Sequence, residues 1–289
     1  MSRVSAPSPL PRRPQLTVPL GLDSVRMKPV LVDLVDDGPN FIVAGTSRGG
    51  KTTLLWTWAL SLAEFNSPHQ VQFVLLSGRR DSLRSLKELP HILSYCRTPE
   101  DFCQNGILER LQAEIQRRET LLSDNFANAG GLPHIVVLFD DYDEFFNAVG
   151  EQQEVKDGLT ILAKHGRDVN IHTVVAGPLP KMGVGYNDSL VKQLKIGRSG
   201  FILKILDASG ENPLGIRIRA SDIKQLPAGR GYLVRNGSEE MLQVATPGDS
   251  TAVAAWVDKL KQRWNAAGCG SAGWPEADTD LERNATARA

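Results

Sequence analysis

Along the chain, short and nearly unbroken apolar runs alternate with longer stretches whose apolar residues recur at helical spacing. Val30 to Leu34, Phe41 to Ala44, Val71 to Leu76, Ile135 to Phe139, Ile171 to Ala176 and Phe201 to Leu206 have the length and composition of strands. Lys51 to Phe65, Asp101 to Asp124 and Glu151 to His165 read as the helices between them. Runs without polar alternation belong to strands buried on both faces, and strands alternating with helices imply an α/β fold with a mostly parallel sheet covered on both sides. The end of the chain differs. Gly231 to Val234 and Met241 to Val244 flank Asn236-Gly237, the strongest short hairpin signal, so an antiparallel edge is expected there. Ser250 to Trp264 then reads as a closing helix. Residues 1–15, rich in Pro, Ser and Arg, and residues 268–289, polar with Gly, Ala and Asp, read as flexible ends around one domain at 16–267.

One junction of strand and helix carries chemistry. Between Phe41 to Ala44 and the first helix stand Gly45, Thr46, Ser47, Arg48, Gly49, Gly50, Lys51, Thr52 and Thr53. Gly, four residues, then Gly-Lys-Thr is the pattern of a phosphate-binding loop. Gly45 and Gly50 let the backbone turn so that successive N–H groups face phosphate oxygens. Lys51 brings a flexible cation to the outer phosphates, Thr52 offers a hydroxyl to Mg²⁺, and the helix presents its positive end to the same charge. A second feature is the apolar run ending in Asp140 and Asp141. In a parallel sheet ligands sit beyond the carboxyl ends of the strands, so Asp140 is expected beside the loop, holding Mg²⁺ through water as a Walker B carboxylate. The ligand expected at the loop is a polyphosphate, with Mg²⁺ held by Thr52 and Asp140.

The balance of charge narrows the partners. Lys+Arg and Asp+Glu both number 33 in 289 residues, so no global field favours nucleic acid. Cys96, Cys103 and Cys269 are odd in number and lack metal spacing, which fits a reducing compartment. No apolar window reaches the roughly eighteen residues of a membrane span, and no signal-peptide core is evident, so the chain reads as cytoplasmic. His165 and His172 flank Gly166-Arg167 and are expected near the active edge, without a third ligand for a metal. Trp56 and Trp58, two apart on a helix, cannot share a face: one is expected in the core and the other at a contact or groove.

Several segments in one order resemble the FtsK/SpoIIIE branch of P-loop motors. They are the loop, the run Phe73 to Leu83 followed by Leu89-Pro90-His91, and the run Leu162 to Ala176 with its Gly166-Arg167 and Ile171-His172. Arg79-Arg80, Asp140-Asp141-Tyr142 and the late Pro227 to Leu233 are most similar to ATPase modules of the type VII secretion protein EccC. The resemblance covers about Pro19 to Pro247. It implies an additional-strand, RecA/FtsK-like fold, ATP hydrolysis in rings, and partners that are other ATPase modules or copies of the chain. It also implies an exported protein substrate, and a place at the inner face of the membrane reached through other segments or chains. By the same resemblance Asp141 stands where active motors usually carry Glu, Gly177-Pro178 where DNA-pumping relatives place Thr-Gln, and Arg48 where Gly or Ser is common. Arg198 matches a finger directed at a neighbour's γ-phosphate, with Arg230 as a second candidate. The alternatives are an assembly-dependent ATPase and a module that binds ATP, hydrolyses it weakly and recognises a secretion substrate. DNA translocation would need a basic pore loop that the neutral balance does not supply.

Overall fold

The computed structural model describes residues 14–79, 81–124, 131–150, 152–183, 188–205, 212–218 and 226–275. In chain order the elements are β1 (Thr17–Asp23), β2 (Pro29–Asp33), β3 (Asn40–Gly45), α1 (Lys51–Phe65), β4 (Val71–Ser77), β5 (Ile92–Cys96), α2 (Pro99–Gln104) and α3 (Ile107–Asp124). They continue with β6 (His134–Asp140), α4 (Tyr142–Val149), α5 (Gln153–His165), β7 (Ile171–Pro178), α6 (Leu179–Met182), α7 (Ser189–Lys195) and β8 (Gly200–Leu203). Last come β9 (Arg230–Arg235), β10 (Ser238–Val244) and α8 (Ser250–Ala266).

Among the described residues one ten-stranded sheet runs β2-β1-β10-β9-β8-β3-β7-β6-β4-β5. β8, β3, β7, β6, β4 and β5 are parallel, and β9, β10, β1 and β2 continue the sheet antiparallel. The expected parallel sheet with an antiparallel hairpin is therefore present. The hairpin does not end the sheet, because β1 and β2 extend it by a further two strands. β7 lies between β3, which leads into the glycine-rich loop, and β6, which ends at Asp140; this is the additional-strand arrangement.

Two apolar layers hold the sheet. One face packs on α1 and α8, with Trp58 1% exposed between Phe41 and Phe201, their ring centroids 4.8 and 5.6 Å away. The other face packs on α2, α3, α4, α5 and α7. Of the two tryptophans Trp58 is the core residue, while Trp56 is half-buried and donates its indole N–H to Ser82 O at 3.2 Å.

Four local departures from the sequence pattern have physical causes. The single helix expected over Asp101 to Asp124 is two: Thr98 caps α2 by accepting from Asp101 N, and Gly106, at φ 60°, turns the chain before α3. β1 was not expected because Pro19 and Gly21 interrupt its pattern; the structure takes them up in a bulge against β2. Lys204, at φ 43°, ends β8 before the expected Leu206, which lies outside the described residues. His172 sits at the amino end of β7, opposite the edge from which the loop rises, and stacks on His134 at the start of β6. The chain after α8 keeps contact with the domain as far as 275: Cys269 is buried, Ala272 N donates to Pro90 O, and Trp274 Nε1 donates to Ser94 Oγ.

His134 and His172 share a 2.9 Å contact between Nδ1 and Nε2, and His91 is buried against Asn66 O and Trp264. Burial holds all three neutral, lowering His91 and His134 to about 4 and His172 to about 3. The unfolded chain binds these protons near pH 6.5, so their contribution to stability is complete above that pH and lost as pH falls toward 4. Thermal melts are expected to lose roughly 5–10 °C between pH 6.5 and 4.5. His172→Asn should flatten that slope; an unchanged slope would remove these histidines as its cause.

Candidate nucleotide-binding site

The site begins where β3, buried throughout, ends at Gly45. The loop then closes on itself: Gly49 N donates to Thr46 O at 3.1 Å, Arg48 takes φ 55° and Gly50 takes φ 99°. Gly50 serves as the N-cap of α1 without a side-chain cap, and no acidic residue lies in the first turn, so the helix N–H groups face the loop with their positive dipole uncompensated. Ser47 and Arg48 are exposed, while Thr46 and Thr53 are half-buried. Thr46 Oγ1 donates to Lys204 O at 2.8 Å, fastening the loop to the end of β8. Lys51 is 9% exposed and folds back, its Nζ 3.0 Å from Thr46 O and 3.3 Å from Gly45 O.

Asp140 ends β6 fully buried and accepts a hydrogen bond from Thr52 Oγ1 at 2.7 Å. The two residues meet across the gap bridged by β7, the geometry expected of a pair that shares a divalent ion. Asp141 follows in the left-handed region, φ 51° and ψ 49°, and opens α4 without capping it. Its carboxyl is raised above the ordinary 3.8, first by burial and then by the charge of Asp140, against the opposing pull of Lys51 and Arg79. Asp143, also raised, responds mainly to burial and to Asp141. Short polar side chains tolerate the left-handed region better than long ones, which accounts for Asp rather than Glu at 141. Gly78 is required behind this turn, because a Cβ there would strike Asp141 O.

Two residues without an expected role shape the same edge. Arg79, at the end of β4, pairs with Glu144 at 3.1 Å and lowers the carboxyl of Asp141. Met182 fills the place beside Gly177 at the end of β7, and its Cε would collide with any Cβ at 177. Met182 had no signal in the sequence, and Arg79 was marked only by the family resemblance, since their contacts join distant segments. Arg80 lies outside the described residues.

The structure separates the two candidate arginines. Arg198 precedes β8 at the amino ends of the strands, away from its own loop, with Nε 3.5 Å from Leu214 O and Nη2 3.4 Å from Gly215 O. Arg230 opens β9 at the carboxyl ends. Beside it Gly229 N donates to Gly49 O at 2.8 Å.

Among the described residues no group of three His, Cys, Asp or Glu could hold a metal ion, and no helix is long and apolar enough to cross a membrane. The donor set at the loop fits Mg·ATP: a lysine whose partners are exchangeable carbonyls, open helix N–H groups, and a hydroxyl and carboxylate already in contact.

Gly50→Ala is expected to cost about 2 kcal/mol and to weaken nucleotide binding more than about tenfold, because φ 99° is strained for Ala. A Cβ there would also lie 2.8 Å from the Gly229 backbone. Melting and titration check this, and a variant that melts and binds like the wild type would refute it.

The sequence pattern described as the FtsK/SpoIIIE family matches residues 6–130. Type VII secretion system protein EssC of Staphylococcus aureus is 28% identical over 267 residues, covering 85% of this chain and 17% of EssC. ESX-1 secretion system protein EccCb1 of Mycobacterium tuberculosis is 27% identical over 161 residues, 51% of this chain and 27% of that protein. The chain thus spans less than a third of either relative. Among solved structures, Thermomonospora curvata EccC (ATPases 2 and 3), in complex with a signal sequence peptide, superposes with a TM-score of 0.72 at 21% identity. That match covers 91% of this chain and 50% of the other. With the glycine-rich loop, the additional strand and Asp140 in one site, residues 6–130 match the FtsK/SpoIIIE family model, and the chain is homologous to EssC and EccCb1.

Proposed function

We propose that residues 16–267 bind Mg·ATP and act as one ATPase module of a type VII secretion system, coupling the nucleotide to assembly and to export of a protein substrate. The observation that carries this reading is the 2.7 Å bond between Thr52 and Asp140, with Lys51 folded back onto the loop carbonyls of Gly45 and Thr46. Lys51 exchanges the carbonyls of Gly45 and Thr46 for phosphate oxygens, and the amides from Gly49 to Thr53 close around the same charge. Thr52 and Asp140 would hold Mg²⁺, which when bound would supply positive charge against the phosphates. Asp141 accepts the proton of the attacking water, and Arg198 serves a neighbour's site rather than its own. The partners are other modules or copies of this chain. The setting is cytoplasmic, at the inner face of the membrane through other segments. DNA is the less favoured cargo.

A second reading keeps the ATP and drops the turnover: the module binds ATP as a structural ligand and recognises the substrate. Two observations favour it. Met182 makes the end of β7 apolar where a polar γ-phosphate sensor would stand, and Asp141 is short. That the EccC structure holds a signal sequence peptide supports substrate recognition as a task of such modules. Steady-state hydrolysis measured across protein concentrations, with ATP binding followed in parallel, separates the two. Turnover per chain that rises with concentration supports the first reading; binding without turnover supports the second; absence of binding refutes both.

A further inference from the structure

The sheet order is symmetrical about the loop. β6 lies two strands from β3 on one side, and β9 lies two strands from it on the other. Thr52 and Asp140 mark the β6 side as the side of the ion and the outer phosphates. A nucleotide seated on the loop therefore directs its nucleoside end over β8 and β9.

Arg230 stands on that side, tied to the loop through the backbone at both its ends. Gly229 N donates to Gly49 O at 2.8 Å. Arg230 O accepts from Lys204 N at 2.9 Å, and Lys204 O in turn accepts from Thr46 Oγ1 at 2.8 Å. Glycine on either side permits this approach: Gly229 has φ 76°, and a Cβ on Gly231 would strike Ile202 O.

The side chain of Arg230 is half-buried, and its Nε is shut off from solvent without a hydrogen-bond partner. An N–H of a charged group kept from solvent without a partner is costly. Other enclosed arginines in the chain are provided for. Arg118 bonds Glu114, Pro133 O and Val169 O; Arg235, whose Nε is also unpartnered, places its terminal nitrogens on Leu31 O, Glu240 and Asp37. Among the described residues Arg230 has no carboxylate partner.

We propose that Arg230 binds the nucleotide of its own chain, its guanidinium contacting the α-phosphate at the nucleoside end rather than a neighbour's γ-phosphate. The proposal rests on the nucleotide-binding reading above. On it, the hairpin of β9 and β10 is a second wall of the site, which links the antiparallel half of the sheet to nucleotide occupancy.

The test is calorimetric titration of the full chain with Mg·ATP and with Mg·ADP, comparing wild type, Arg230→Ala, Arg230→Lys and Lys51→Ala. An α-phosphate contact is common to both nucleotides, so Arg230→Ala should weaken both by about tenfold or more, with Arg230→Lys restoring part of the loss. The melting temperature without nucleotide should stay within about 2 °C of wild type, which a merely structural role would not allow. Affinities within twofold of wild type would overturn the proposal, as would loss of ATP binding alone, which would move Arg230 to the γ-phosphate. If Lys51→Ala loses both nucleotides while Arg230→Ala keeps them, only this proposal fails. If the wild type binds neither, the nucleotide-binding reading fails as well.

Discussion

Lys51→Ala lowers ATP affinity at least about 100-fold, the equivalent of roughly 3 kcal/mol, and leaves the fold intact. The size of the effect follows from what the ammonium does. In this structure Nζ is enclosed and rests on the carbonyls of Gly45 and Thr46. Those acceptors are weak beside a phosphate, and hydrogen bonds between charged groups contribute about 1.5–3 kcal/mol each. Removing the cation takes away one or two such bonds and leaves the polyphosphate's charge to the loop amides, the ion and Arg230. In the unfolded chain and the folded apo-protein the lysine makes no comparable bond, so the cost to stability should stay near 1 kcal/mol. Calorimetric titration and thermal melts measure the two effects separately. A variant that binds ATP within tenfold of wild type would show that Lys51 is not at the phosphates, and the assignment of the loop would fall with it.

The reason so much of this site could be read from sequence is that its parts are contiguous. Gly45 to Thr53 is one unbroken segment, and Asp140-Asp141 ends one unbroken apolar run; local geometry and the rule for carboxyl ends of parallel strands place both. What depended on contacts between distant segments could not be read. That β7 separates β3 from β6 was expected only through the family resemblance, because neither strand's own residues announce it. The role of Gly229 follows from its bond to Gly49, 180 positions earlier. Met182 is an ordinary methionine until the chain folds its methyl group against Gly177. His172 was misplaced for a related reason: its neighbours in sequence suggested the active edge, whereas the direction of β7 sends it to the other end. β1 was hidden by Pro19 and Gly21, which in isolation argue against a strand and here fit a bulge.

Asp141→Asn separates chemistry from binding and from stability. The carboxyl of Asp141 is held above its ordinary value chiefly by burial, then by Asp140. A carboxyl raised on folding contributes its stability at pH below 3.8 and loses it as pH rises through the raised value, so at neutral pH the ionised group costs the folded state free energy. Asparagine removes that charge at nearly the same volume and is at ease at φ 51°. The variant should therefore melt a few degrees above wild type at pH 7, and the gain should shrink as pH falls. Its ATP affinity should hold or rise, because one negative charge beside the phosphates is gone. If the chain turns ATP over, loss of the proton acceptor should lower the rate by about 10²–10⁴. The acidic limb of the wild-type rate profile should then lie above the pH at which an ordinary aspartate titrates. A variant with unchanged turnover would remove Asp141 from the chemistry. A variant less stable than wild type would mean that the charge is held by partners rather than endured, and the physical account of its raised carboxyl would fail.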